Sequence, residues 1–163
     1  MAAVRAFVGL GANLGEPEVQ VRRAIEALAA LRGTRLVRAS SLYRSAPIGY
    51  MDQPDFVNAV AEVETTLAPR ALLDELLAIE AGFGRRREFA NAPRTLDLDL
   101  LLYGDAVVAE PGLAVPHPRM HQRAFVLAPL VEIAGDIVVP GRGPAAGLLA
   151  GCKDQRTEKT GVR

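Results

Sequence analysis

The chain has 163 residues, half of them hydrophobic, and its 19 basic and 19 acidic side chains cancel to zero formal charge. That length suits one globular domain with a real core, and the balance removes the long-range pull toward nucleic acid or an anionic membrane that a basic protein has. The single cysteine, Cys152, excludes an intramolecular disulfide, and no run approaches the roughly 20 apolar residues that span a bilayer. Residues 1–11 are apolar but glycine-broken and carry no signal-peptide cleavage pattern. A cytoplasmic monomer that binds neither nucleic acid nor membrane is expected.

Ala3 to Leu10 reads as a first strand, ending in Gly9-Leu10-Gly11-Ala12-Asn13-Leu14-Gly15. These glycines have the wrong spacing for a dinucleotide loop and no Gly-Lys-Ser/Thr follows, so a tight turn between strand and helix is expected. The helix starts near Pro17, a residue favoured in the first turn. Val21, Ala24, Ile25, Leu28 and Leu31 keep its i, i+3, i+4, i+7 spacing up to Gly33. Leu36 to Tyr43 reads as a second strand, and Ser45 to Pro54 as a long irregular loop of the kind that is usually functional or disordered. Phe56 to Thr65 alternates as a third strand. Val57, Ala59, Ala61 and Val63 form one face; Phe56, Asn58, Val60, Glu62 and Glu64 form the other.

A second helix is expected from Pro69 to Phe83, then an arginine-rich loop, 85–92, leading into an acidic strand near Asp97. Gly104-Asp105 reads as a hairpin turn with Ala106 to Ala109 returning. A helical region around Gln122 to Ala134 is expected to be divided by Pro129, with a last short strand over Ile137 to Val139. The polar segment 153–163 is expected to fray. There is no repeat or linker, so residues 1–163 read as a single domain. Strand, helix, two strands, helix, two strands, then helical additions predicts an α+β fold: an antiparallel sheet with helices packed on it.

The most informative stretch is Pro93-Arg94-Thr95-Leu96-Asp97-Leu98-Asp99-Leu100. On a strand, Asp97 and Asp99 share one face and Leu96, Leu98 and Leu100 the other. At about 3.3 Å of rise per residue, the aspartate Cα atoms lie about 6–7 Å apart, near enough to converge on one cation or on a pair about 4 Å apart. Carboxylate, water and phosphate oxygen are the ligands of Mg²⁺. The plainer alternative is a half-exposed strand with an acidic face.

Other features carry similar pairs of readings. Glu80 sits within an apolar stripe with Leu73, Leu76 and Leu77. It needs a partner if buried, whether arginine or ligand, and none if it reaches water at the edge of the packing. Arg85, Arg86, Arg87 and Arg94 bracket the loop before the aspartates and suit a polyphosphate clamp or a solvated basic loop. Asn58 beside Phe56 can read the edge and stack on the face of a flat heterocycle, or simply fill core. His117 and His121 are four apart, as zinc ligands on a helix would be, but prolines flank His117 and no third ligand clusters nearby. No Ser-His-Asp or Cys-His nucleophile arrangement is evident.

Three blocks in order, Asp52-Gln53-Pro54-Asp55-Phe56-Val57-Asn58, Pro93 to Asp99, and Val115-Pro116-His117 followed by Arg123-Ala124-Phe125, resemble 6-hydroxymethyl-7,8-dihydropterin pyrophosphokinase of folate biosynthesis. The likeness is collinear over residues 5–140. It implies a ferredoxin-like fold with additional C-terminal helices, and transfer of diphosphate from ATP to the hydroxymethyl dihydropterin with release of AMP. By this resemblance Asp97 and Asp99 bind two Mg²⁺ ions along the ATP triphosphate, and Arg85 and Arg94 clamp phosphate. His117 and Arg123 make further ATP contacts, and Glu80 lies at the nucleotide pocket. Asn58, Phe56 and Phe125 hold the pterin, against a wall of Ser45, Ala46 and Ile48. Many members have Trp-Gly-Pro-Arg where this chain has Asn91-Ala92-Pro93-Arg94. Phe89, the one aromatic of that loop, is expected to stand in for the tryptophan. The rival readings are another Mg²⁺-dependent kinase or nucleotidyl transferase on the same scaffold, and a ferredoxin-like ligand-binding module.

Overall fold

The computed structural model describes residues 2–47, 52–83 and 96–160. Ile48, Arg85, Arg86, Arg87, Phe89 and Arg94 lie outside them, and with them the expected phosphate clamp, the tryptophan substitute and part of the pterin wall. Strand β1 (Val4–Ala12) runs through the centre of a sheet, antiparallel to β4 (Phe56–Thr65) on one side and to β5 (Asp97–Tyr103) on the other. The far flank of β4 takes β2 (Thr34–Ala39) along its C-terminal half and β3 (Tyr43–Ser45) along its N-terminal half. Helix α1 (Pro17–Ala29) joins β1 to β2, and α2 (Pro69–Gly82) joins β4 to β5. Two βαβ units interleaved in the order β2-β4-β1-β5 make the ferredoxin-like arrangement that the resemblance implied.

Both faces of the sheet are covered. On one, Val21, Ala24 and Leu28 of α1 and Leu72 and Leu76 of α2 pack on Ala6, Val8, Leu10, Ala59, Ala61, Leu98 and Leu100. On the other, Phe7, Val60, Leu101 and Leu102 meet Leu127 and Leu130 of α3 (Ala124–Ile133). The second apolar cluster needs an extra inward residue from β5, and a bulge supplies it. Phe7 pairs with Leu102 but Val8 with Leu100, which leaves Leu101 as the additional residue.

Several expectations are corrected. The second strand, read as 36–43, is broken between β2 and β3, because Ser40 bridges the gap with its side chain: its N–H donates to Val60 O and its Oγ accepts from Val60 N, both at 2.9 Å. The buried stripe of α2 keeps Leu76 and Glu80 of the expected one and adds Leu72, while Leu73 is partly buried and Leu77 is exposed. Either leucine row satisfies the helical period; only packing on the sheet chooses between them. Gly9 and Gly11 lie inside β1 rather than in a turn, and of the three glycines only Gly15 has a positive φ, 64°.

The chain does turn at Gly104 (φ 53°), but it does not return along β5. Instead β6 (Val108–Glu110) pairs with β7 (Leu113–Val115). Pro129 does not divide α3: the helix runs unbroken through it, buried with Leu127 and Leu130. Burial of this apolar stretch outweighs the one hydrogen bond that proline removes. Beyond α3, β8 (Val138–Val139) pairs with β9 (Gly143–Pro144), and α4 (Ala145–Ala150) follows, an element with no clear sequence signal. The segment expected to fray instead supplies an edge strand, β10 (Thr157–Lys159), paired with β3. Among the described residues no helix is long and apolar enough to cross a membrane.

Candidate active site

The antiparallel registers line up two rows of residues across three strands. Asn58, Gly11 and Asp97 are partners in one row; Val60, Gly9 and Asp99 are partners in the next. Directly paired residues share a face. The glycines therefore leave a bare strip of backbone between an amide and two carboxylates. This strip floors a cleft enclosing about 820 Å³, part of it open to solvent. One wall is Ser45, Ala46, Phe56 and Asn58; the other is Asp97 and Asp99; Arg119, Arg123, Phe125 and Val126 close it from the α3 side.

Asn58 is 4 % exposed, and its Nδ2 donates to Ser45 Oγ at 2.7 Å. That bond fixes the amide's orientation, and a Cβ placed on Gly11 would lie only 3.0 Å from Asn58 Oδ1. Arg123 stacks its guanidinium carbon 5.5 Å from the Phe125 ring centre, within cation–π range. Burial lowers the Arg123 pKa, while Asp99 and Asp97 opposite favour its charged form.

A second cleft lies beside the first, lined by Leu73, Leu98, Leu100, Glu110, Leu113, His117 and Pro118, and Asp99 lines both. His117 Nε2 is 3.8 Å from Asp99 Oδ1. The Arg119 backbone N–H donates to His117 Nδ1 at 3.2 Å, so the neutral ring carries its proton on Nε2, facing the carboxylate. Burial pulls the His117 pKa down to about 4; Arg123 and Arg119 push the same way and Asp97 opposes them. At neutral pH the imidazole is thus an uncharged N–H donor at the junction of the two clefts.

Supporting contacts hold these groups. Glu80 is 4 % exposed, and its Oε2 accepts from Leu98 N at 2.6 Å. Glu80 is therefore buried, and it lines neither cleft; it grips the backbone between Asp97 and Asp99, where β5 has no further strand beside it among the described residues. Asn13, 2 % exposed, donates to Gln53 Oε1 (2.8 Å) and Pro54 O (3.0 Å), tying the loop ahead of Phe56 to the end of β1. Gln155 accepts from Ala124 N at 2.9 Å and donates to Gln122 O at 2.7 Å, filling an orphan site at the start of α3, where Arg123 and Phe125 stand. At the other end of α3, Glu132 accepts from Ser41 Oγ and Tyr43 OH, both at 2.8 Å, and so fastens α3 to β3.

Of the predicted residues, Asp97, Asp99, Ser45, Ala46, Phe56, Asn58, Arg123 and Phe125 come together at the first cleft, and His117 joins Asp99 at the second. Arg119, Gly9 and Gly11 were not read as site residues. The available signal was periodic: Gly9 and Gly11 alternate within an apolar strand exactly as cleft-facing positions do, and Arg119 follows His117 by two residues. Among the described residues no group of three or more His, Cys, Asp or Glu side chains could hold a metal. Two carboxylates in a cleft that also holds Arg119 and Arg123 are a partial ligand set, of the kind that suits Mg²⁺ completing its shell with water and phosphate oxygen.

Comparison with known proteins gives a consistent result. Residues 7–135 match the family described as 7,8-dihydro-6-hydroxymethylpterin-pyrophosphokinase. A Haemophilus influenzae protein named 2-amino-4-hydroxy-6-hydroxymethyldihydropteridine pyrophosphokinase is 50% identical over 137 residues, 84% of this chain and 86% of that protein. A Pseudomonas aeruginosa protein of the same name is 48% identical over 155 residues, 95% of this chain and 96% of that one. Among solved structures, wild-type Plasmodium falciparum HPPK-DHPS superposes with a TM-score of 0.70 at 13% identity, a likeness of fold. The match covers 91% of this chain and 44% of that longer one.

Proposed function

The chain belongs to the 7,8-dihydro-6-hydroxymethylpterin-pyrophosphokinase family, and from that premise we propose how its residues transfer diphosphate from ATP to 6-hydroxymethyl-7,8-dihydropterin, releasing AMP, in folate biosynthesis. The observation that carries the assignment of roles is the meeting of two clefts at Asp99. A group-transfer enzyme must present donor and acceptor to one another across a shared, charge-stabilising point.

The first cleft is the acceptor side. Its flat glycine floor takes the pterin ring, with Phe56 and Phe125 supplying aromatic contact and the oriented Asn58 amide reading the heterocycle's edge. The second cleft is the nucleotide side, with Leu73, Leu98 and Leu113 as apolar lining and His117 donating from Nε2. Arg123 binds phosphate oxygens between the two. Arg85 and Arg94 are assigned to the triphosphate on the likeness of their sequence blocks to the family, and Ile48 to the pterin wall on the same ground.

Asp97 and Asp99 are the residues that would hold Mg²⁺, as two ions along the triphosphate. When bound, Mg²⁺ neutralises phosphate charge and favours ionisation of the attacking hydroxyl. The chain's own contribution is then positioning and electrostatics, as in other phosphoryl transfers: it aligns the hydroxymethyl oxygen with the β-phosphorus and provides fixed cationic donors around the transferring group. No side chain at the cleft is assigned as general base.

The test is a nucleotide separation. Purified protein, ATP, Mg²⁺ and 6-hydroxymethyl-7,8-dihydropterin are expected to yield AMP and the pterin diphosphate in equal amounts. ADP as product indicates a single-phosphoryl kinase, and no nucleotide turnover indicates a binding module; either result overturns the proposal.

A further inference from the structure

We propose that Arg119 is a diphosphate-binding residue of the acceptor cleft, one that holds the transferred group after it has joined the pterin and so favours the diphosphorylated pterin over the hydroxymethyl pterin. The inference rests on the pyrophosphokinase reading and goes beyond it by giving a role to a residue in neither the predicted clamp nor the predicted pterin contacts.

Arg119 lines the first cleft with Asp97, Asp99 and Arg123, and it is absent from the lining of the second. A guanidinium so placed faces the group that arrives on the acceptor rather than the nucleotide that delivered it. Its backbone is fixed from both sides: its N–H donates to His117 Nδ1 at 3.2 Å, its carbonyl accepts from Gln122 N at 3.0 Å, and the next residue, Met120, is fully buried. The side chain itself is exposed, and among the described residues no hydrogen bond or ion pair engages its guanidinium.

Arg119 is also close enough to Arg123 and His117 to disfavour their protonated forms. Two like charges on one wall are costly without an anion between them. When Asp97 and Asp99 are engaged by Mg²⁺, the anion left to satisfy both guanidiniums is the diphosphate. Arginine matches phosphate oxygens through two parallel N–H donors, which a lysine cannot do.

The experiment is equilibrium titration of the full chain in Mg²⁺ buffer with two probes, 6-hydroxymethylpterin and its diphosphate, comparing wild type, Arg119→Ala and Arg119→Lys. Arg119→Ala is expected to weaken diphosphate binding by roughly ten- to a hundredfold, the effect of losing a charge-assisted contact. Binding of the unphosphorylated pterin should stay within about twofold, and Arg119→Lys should recover part of the loss, as a retained charge without the fork would. Equal losses for both probes mean a structural role and overturn the proposal, as does an unchanged preference for the diphosphate. A wild type that binds neither probe overturns the pyrophosphokinase reading as well, so the two failures are distinguishable.

Discussion

Replacing Gly11 with alanine adds a single methyl group to the floor of the acceptor cleft, and the register of three strands determines what that methyl does. Asn58 and Asp97 flank Gly11 on either side. With strands about 4.8 Å apart, their backbones stand about 9.6 Å apart with only glycine between. The new Cβ would sit 3.0 Å from Asn58 Oδ1, tighter than ordinary contact by a few tenths of an ångström. The amide must yield, yet its Nδ2 is held to Ser45 Oγ at 2.7 Å.

Misaligning the amide against a bound heterocycle weakens binding by about 1–2 kcal/mol, and losing the hydrogen bond to Ser45 costs about 1 kcal/mol of stability. The binding loss is roughly a five- to thirtyfold rise in the Kd for 6-hydroxymethylpterin. The fold should not suffer, because replacing glycine with alanine inside a strand favours the folded state by about 0.5–1 kcal/mol and offsets the local strain. Calorimetric titration measures the first effect and thermal unfolding by circular dichroism the second. Wild-type affinity in Gly11→Ala would refute the argument that the bare strip beside Asn58 is the ligand's seat.

Two further predictions concern charge. Asp97→Asn and Asp99→Asn keep side-chain shape, so both variants should fold, but each is expected to lower kcat by about a thousandfold or more in steady-state assays of AMP release; turnover near wild type in either sinks the metal-ligand assignment. His117, whose pKa burial and neighbouring arginines pull to about 4, makes the ligand-free protein acid-sensitive. Between pH 6.5 and 4 the unfolded chain binds a proton that the native state refuses. This contribution to stability is therefore full above pH 6.5 and is lost as pH falls, by about 2 kcal/mol between pH 7.5 and 5. Urea unfolding at the two pH values should show that difference shrinking in His117→Gln, and an identical pH dependence in both proteins rejects the buried neutral imidazole.

Local chemistry made much of the molecule legible before any coordinates. The alternation from Phe56 to Thr65 marks β4 to the residue, Pro17 and Pro69 mark the starts of α1 and α2, and Asp97 and Asp99 share a face because a pleated strand leaves them no choice. These are short-range consequences of backbone geometry, written in neighbouring residues. The family blocks implied that Asn58 and Phe125 share the pterin and that Asp97, Asp99 and His117 share the nucleotide, groupings that no local pattern contains.

What only the tertiary structure decided are matters of pairing and of choice between equivalent faces. Leu72 joins Leu76 and Glu80 in the core while Leu77 faces solvent because α2 seats on β5, and that seating is a long-range fact. Pro129 remains inside α3 because the helix is buried on the sheet. Residues 157–159, polar and unpromising, become a strand because β3 offers an unpaired edge. Gly9 and Gly11 look like turn residues until β4 and β5 are set on either side of them. A glycine within a strand means little by itself; it becomes the floor of a cleft only once the neighbouring strands set Asn58 and Asp97 beside Gly11 and Val60 and Asp99 beside Gly9.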